Sequence, residues 1–243
     1  MSGSRRVLVT GAAGFIGMHT ASALLDRGDA VVGVDSLDPY YDVALKEARL
    51  RQLAGRAGFA FERLDLADAD ATARLFRDGG FDGVVASIDY TLADNLENLQ
   101  LANPDNGLGP WPMTGRGNDL DNWIEGNDAG NQLYGGGGDD VLMDDVGYDL
   151  LDGGAGADVM SGGIWNDTCI VDDAGDTVVE TDSDTGWGGY DWVQASVDFT
   201  LSDNVEALRL TGTADLVGHG NELSNTIEGN SGANALYGLG GAD

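Results

Sequence analysis

Between Gly117 and Ile170 apolar residues recur every nine positions, at Ile124, Leu133, Leu142, Leu151, Met160 and Cys169. Asn122, Asn131, Asp140, Asp149, Asp158 and Asp167 keep the same step two residues earlier. A nine-residue period held over six units specifies a repeat architecture in which each unit buries its aliphatic side chain against the next. Within a unit the first six residues read as a turn and the last three as a short strand with its central side chain inward. Glycines allow neighbouring turns to approach. The sixth-position carboxylate projects between turns, where oxygens from two loops can supply the six to eight ligands that calcium takes. An acidic disordered tail would have no reason to keep a hydrophobic period.

Charge divides the chain. Residues 1–86 hold ten Lys and Arg against twelve Asp and Glu, a net of −2, so −28 of the total −30 falls on residues 87–243. All five tryptophans and twenty-eight of the thirty-nine glycines also lie beyond residue 86. So acidic a surface repels nucleic acid and attracts cations. The single cysteine, Cys169, excludes an internal disulfide and a cysteine-rich zinc site, and its place in the period reads as a small buried hydrophobe. No apolar run reaches membrane-spanning length. Nor does the N-terminus read as a signal peptide, because Val7–Thr10 is a strand-length run followed at once by glycines.

That opening reads as strand, glycine turn, helix: VLVT, then GAAGFIG at Gly11 to Gly17, then apolar residues at helical spacing. Gly11, Gly14 and Gly17 serve the tight turn, the approach of backbone to a pyrophosphate and close helix-to-strand packing. The helix N-terminus, at Phe15 and Ile16, offers free N–H groups to phosphate. AVVGVD ends in Asp35, placed to accept from an adenosine ribose, and a carboxylate there favours NAD over NADP. Val43 to Leu53 reads as a second helix, FAFERLDL as a third strand, DADATARLFRD as a third helix and FDGVV as the start of a fourth strand. Asp65 and Leu66, at the end of the third strand, are placed to meet an adenine. His19 stands apart from any second histidine or cysteine and reads as a surface or satisfied side chain.

TGAAGFIG, VDSLDPYYDVALKEARL, LDLAD and FDGVV together resemble the start of an extended short-chain dehydrogenase/reductase of the UDP-glucuronate 4-epimerase type, over residues 5–85. The resemblance implies an NAD-binding half, with Tyr40 and Tyr41 near a sugar-nucleotide entrance or simply covering the domain. It also implies a Tyr-x-x-x-Lys pair that oxidises and re-reduces a sugar carbon. Here the chain departs: Lys46 is its only lysine and Asp42 stands four residues before it, so epimerisation by the family mechanism has no residues to perform it.

ASIDYTLADNLENLQL at Ala86 returns as ASVDFTLSDNVEALRL at Ala195, 109 residues later. The match reaches back to Asp82 and Val84, so the boundary falls inside one strand, which could serve both halves. A Pro- and Gly-rich insertion, residues 102–116, follows the first copy only and reads as an irregular loop.

The nonapeptides fit the GGxGxDxUx pattern of RTX (repeats-in-toxin) calcium-binding proteins, and residues 86–243 resemble that family. The resemblance implies a parallel β-roll with two nonapeptides per turn, so that loops eighteen residues apart enclose a metal. Carried over, Gly136, Gly138 and Asp140 face Gly154, Gly156 and Asp158 as the best site. Asp149 and Asp167 form a weaker pair, because Asp144, Asp145 and Trp165 replace glycines. Residues 171–219 read as a second flank outside the nine-residue register, with Trp187 and Trp192 covering a sheet. The ladder resumes at 220–243, with Asn225 and Asn234 at sixth positions and Ile227 and Leu236 inward.

The expected fold is therefore α/β plus all-β: a truncated Rossmann half-domain over 1–86, then an RTX-like β-roll region over 87–243. Its divisions are a flank at 87–116, the ladder at 117–170, a flank at 171–219 and a partial ladder at 220–243. The expected ligands are calcium ions and, through a half-site, NAD, with no nucleic acid and no membrane span. Two alternatives stay open: a nucleotide-sugar epimerase or dehydratase relative acting through other residues, and a fusion or fragment without evolved function. The two resemblances point to opposite compartments, extracellular for the repeats and cytoplasmic for the epimerase-like start.

Overall fold

The computed structural model describes residues 5–39, 42–103, 111–181 and 189–241. Tyr40, Tyr41, Trp187, Asp243 and residues 104–110 of the Pro- and Gly-rich insertion lie outside them. The chain forms two compact units, Met1–Trp111 and Pro112–Asp243.

In the first unit the elements are β1 (Arg6–Thr10), α1 (Phe15–Arg27), β2 (Ala30–Asp35), α2 (Val43–Leu53), β3 (Phe59–Arg63), α3 (Ala69–Gly79), β4 (Gly83–Ala86), β5 (Tyr90–Thr91) and β6 (Asn98–Leu101). β1 and β2 are continuous apolar runs because both faces are covered, as parallel sheets require. All pairings are parallel: β3 with β2, β2 with β1, β1 with β4, and β4 with β6. Val7, Val9, Val31 and Val85 pack with Met18, Ala21, Leu24 and Leu25 of α1 and with Leu53 of α2. Gly28 ends α1 in the left-handed conformation, its N–H returning to the Leu24 and Leu25 carbonyls. Asp42 and Asp68 cap α2 and α3 by accepting from the N–H groups of Ala44 and Ala71.

β4 has two partners. Val7 pairs with Gly83 on one side and Leu99 with Val84 on the other, so one strand belongs to both the nucleotide-type sheet and the first repeat flank.

The second unit continues with β7 (Thr114–Arg116), β8 (Trp123–Glu125), β9 (Gln132–Gly137), β10 (Val141–Met143), β11 (Leu150–Ala155), β12 (Val159–Ser161), β13 (Thr168–Val171) and β14 (Thr177–Val178). After these come β15 (Trp192–Ala195), β16 (Phe199–Thr200), β17 (Ala207–Leu210), β18 (Val217–His219), β19 (Thr226–Glu228) and β20 (Ala235–Tyr237). From β7 to β14 successive strands alternate between two sheets, and partners in a sheet pair in parallel at a step of eighteen residues: Ile124 with Leu142, Leu142 with Met160, Leu133 with Leu151, Leu151 with Cys169. Those residues are between 0 and 4 % exposed and form the narrow core between the sheets. This is a parallel β-roll. Beyond them β13, β15, β17 and β19 continue one sheet at unequal steps, and β16, β18 and β20 form a third.

Two sequence expectations need correction here. The second flank does not leave the register at residue 171: Thr177 and Val178 pair with Val159 and Met160 at the same eighteen-residue step, and Val178 is buried. The sequence VDDAGD lacks the leading glycines yet keeps the aspartate and the aliphatic position. In the resumed ladder Leu236 is not inward but 43 % exposed, and Ile227 is only half-buried. Both sit on edge strands, β20 and β19, with a paired neighbour on one side alone.

The two copies of the flank fold alike. Val84 pairs with Leu99 and, 109 residues on, Val193 pairs with Leu208. Leu92, Leu96, Leu99 and Leu101 are buried in the first copy, and Leu201, Val205, Leu208 and Leu210 in the second.

Candidate functional site

In the roll, each aspartate at a sixth position uses its two oxygens differently. Oδ1 accepts the backbone N–H of the equivalent residue one coil back: Asp140 from Asn122 (2.7 Å), Asp158 from Asp140 (2.7 Å), Asp149 from Asn131 (2.6 Å) and Asp167 from Asp149 (2.8 Å). Oδ2 is buried in all four and has no hydrogen-bond partner. A buried carboxylate oxygen without a donor is costly. Four in regular array form a repeated set of hard oxygen donors. Asp140, Asp149, Asp158 and Asp167 are each under 5 % exposed.

Burial acts on these groups first. It pushes Asp140 and Asp149 up to about 7, Asp158 to about 6 and Asp167 to about 8. Hydrogen bonds from the backbone oppose the rise, and like charge from Asp158 on Asp140, Asp176 on Asp158 and Asp149 on Asp167 adds to it. A divalent cation would reverse the balance by favouring the ionised form.

The glycines at first positions are fixed by the same oxygens. A Cβ on Gly135, Gly153 or Gly162 would collide with Oδ2 of Asp140, Asp158 or Asp167. Of the residues expected to hold metal through their turns, Gly136, Gly138, Gly154 and Gly156 all have positive φ, at 111°, 100°, 84° and 144°. A side chain on Gly154 or Gly156 would meet the carbonyl of Gly136 or Gly138 one coil back. The structure thus sets backbone carbonyls and sixth-position carboxylates of adjacent coils side by side, an all-oxygen donor set of the kind calcium takes.

Asparagine at the sixth position behaves otherwise. Asn122 and Asn131 turn Oδ1 onto the N–H four residues before, at Asn118 and Asn127, and their Nδ2 onto the amide oxygens of those same residues. Asn225 accepts from Asn221 and donates to the Val205 and Glu206 carbonyls. Such loops close on themselves without a cation. Asp176 is likewise satisfied, with Oδ1 accepting from Asp158 and Oδ2 from Asp172 and Asp173.

The same test finds two carboxylates that the sequence reading passed over. Asp144 and Asp191 also bury an unpartnered Oδ2. Asp191 escapes a strict nine-residue count because it lies 24 residues after Asp167, whose N–H donates to its Oδ1 (2.9 Å). The signal was the unit GWGGYDWVQ at residues 186–194, which carries the pattern out of phase.

In the first unit, Gly11 (φ 64°) makes the turn after β1, Gly14 N-caps α1, and a Cβ on Gly17 would strike the Gly11 carbonyl. The first turn of α1 holds no acidic residue, leaving its positive end open to an anion. Phe15 is 38 % exposed and lies against His19, while Ile16 packs on the core. Asp35 ends β2, but its carboxylate is already engaged: Oδ2 accepts from Ala13 N–H (3.2 Å), and Oδ1 accepts from Leu37 N–H (2.8 Å) and Lys46 Nζ (3.3 Å). Asp65 is exposed after β3 and accepts from Ala67 N–H, and the half-buried Leu66 gives its carbonyl to Thr72 Oγ1.

Comparison with known proteins divides the chain in the same way. Residues 7–105 match the NAD dependent epimerase/dehydratase family. Residues 116–143, 134–169 and 219–243 match the RTX calcium-binding nonapeptide repeat. The chain is therefore an epimerase-like N-terminal region followed by RTX repeats. The epimerase match reaches 20 residues past the sequence expectation of residue 85, into the first flank copy. Among curated relatives, an uncharacterized 37.6 kDa protein of Escherichia coli O111:H- is 52 % identical over 82 residues, covering 34 % of this chain and 24 % of its own. UDP-glucuronate 4-epimerase 1 of Arabidopsis thaliana is 52 % identical over 75 residues, covering 31 % and 17 %. A probable UDP-glucuronate 4-epimerase of Rhizobium meliloti is 49 % identical over 113 residues, covering 44 % and 32 %. The chain thus spans between about a sixth and a third of the length of these relatives.

Proposed function

We propose that the roll is a calcium-binding module whose packing is completed by metal. The observation that carries this reading is the row of buried Oδ2 atoms on Asp140, Asp149, Asp158 and Asp167, each with its Oδ1 holding the coil before it. Asp140 and Asp158, with the Gly136, Gly138, Gly154 and Gly156 turns, would hold one ion. Asp149 and Asp167 would hold another, on the opposite row of loops. Calcium would supply the positive charge that the roll lacks: beyond residue 86 there are two basic side chains, Arg116 and Arg209. The first stacks over Tyr134 and the second ion-pairs with Glu228.

Tryptophan emission tests this cleanly, since no tryptophan precedes residue 87. Calcium added to the chelated protein should shift the emission and raise the denaturation midpoint, and an unchanged spectrum and midpoint would refute the reading.

For the first unit the proposal is an NAD site built on Gly11, Gly14, Phe15, Ile16, Gly17 and Asp35, with Asp65 and Leu66 at the adenine end. The open helix end beside the glycine turn supports it. Without a Tyr-x-x-x-Lys pair no epimerisation is assigned to this chain. Titration with NAD+ should give saturable binding that Asp35→Ala abolishes, and an equal affinity in that variant would remove Asp35 from the site.

A further inference from the structure

Beyond the repeats, one carboxylate cluster lies where the coil lengthens from eighteen residues to 24. Asp167, Glu180 and Asp191 bring one carboxylate oxygen each within 4.8 Å of one another. Opposite ligands across a calcium ion are separated by about 4.6–5.2 Å, so the three fit around one such ion. Oδ2 of Asp167 and Oδ2 of Asp191 are both buried without a hydrogen-bond partner, on residues 4 and 6 % exposed.

Glu180 comes from neither a nonapeptide turn nor a repeat strand. It follows β14 by two residues, in a segment tied down along its length. Val179 N–H donates to the Met160 carbonyl (2.8 Å), Ser202 Oγ to the Val178 carbonyl (2.5 Å) and Asn204 Nδ2 to the Glu180 carbonyl (3.2 Å). The longer coil thus delivers a third carboxylate to a place where a regular coil would offer two. The two basic side chains beyond residue 86, Arg116 and Arg209, lie against Tyr134 and Glu228. All the donors are hard oxygens, which select calcium over softer metals.

We propose that Asp167, Glu180 and Asp191 form a calcium site at the lengthened coil, outside the nonapeptide pattern and with one more protein carboxylate than the repeat sites. The inference rests on the reading of the roll as a calcium binder, but on a residue that this reading does not use. Calcium affinity rises with the number of charged ligands, so this site fills before those between regular coils.

The test is calorimetric titration of the calcium-stripped full chain with calcium chloride, for the parent, Glu180→Gln, Glu180→Asp and Asp158→Asn. Glu180→Gln should lose the tightest equivalent or bind it at least tenfold more weakly. Glu180→Asp, which keeps the charge but shortens the reach, should retain the equivalent at an affinity lowered at least threefold. Asp158→Asn should leave that equivalent intact and weaken a different one. Parent-like number and affinity in either Glu180 variant would overturn the site while leaving the repeats as binders. Should Glu180→Gln not fold, Glu180→Asp decides. A parent chain that binds no calcium overturns both readings together.

Discussion

Removing calcium and then lowering the pH should fold the roll rather than unfold it. A carboxyl whose folded pKa lies above its unfolded value binds its proton more tightly in the fold. Its contribution to stability is therefore fully present below the unfolded value, 3.8 for these groups, and is lost as pH rises through the folded one. Burial, the largest cause in each case, pushes Asp158 to about 6, Asp140, Asp149 and Asp191 to about 7, and Asp167 to about 8. If solvent screening leaves only one unit of each rise, the five groups together cost about 7 kcal/mol by pH 8. That is the size of a domain's whole stability, so the chelated roll should be largely unfolded at pH 8. As the pH is lowered from 8 to 4 in EDTA, tryptophan emission should move toward the calcium-loaded spectrum. High salt should leave the transition in place, because buried charges are screened far less than exposed ones. An emission that stays flat or moves toward the unfolded spectrum on acidification would refute the reasoning.

Three further outcomes follow from particular side chains. Gly156→Ala places a Cβ against the Gly138 carbonyl at a φ of 144°, and should destabilise the calcium-loaded roll by about 3 kcal/mol in urea titrations. Leu151→Ala, at a fully buried position in the sheet of β9, β11 and β13, should cost about 2–5 kcal/mol in the same assay. Lys46→Met leaves the buried Asp35 carboxylate without its cation but keeps the two backbone donors, so the first unit should lose about 1–3 kcal/mol by far-UV circular dichroism melting.

The sequence exposed the roll because its periodicity is the structure: a step of nine in aliphatic residues is the alternation of two sheets, and twice nine is the pairing register. Asp140, Asp149, Asp158 and Asp167 could be read directly, since each stands two positions before a buried aliphatic residue. What could not be read was which oxygen remains unpaired. Asp176 keeps the register yet satisfies both oxygens within its own coil and with Asp158, whereas Asp191 breaks the count and still leaves one bare. That difference is set by where the backbone N–H groups of the aspartate's own turn point, since the preceding coil donates to Oδ1 in both. Glu180 was invisible for a related reason, because only the path of the lengthened coil brings it to Asp167. In the first unit the order of strands and helices followed from apolar runs and glycines, but the Lys46 contact to Asp35 depends on how α2 docks.

The two-sided pairing of β4 has a mechanical meaning. A strand that is a rung of two ladders cannot be peeled from one without loosening the other. Under load, or in a protease-limited local opening, β6 and the first repeat flank should yield in the same step as the β1–β4 edge of the nucleotide-type sheet, and amides of Val84 and Val85 should exchange with those of Val7 to Val9 as one group.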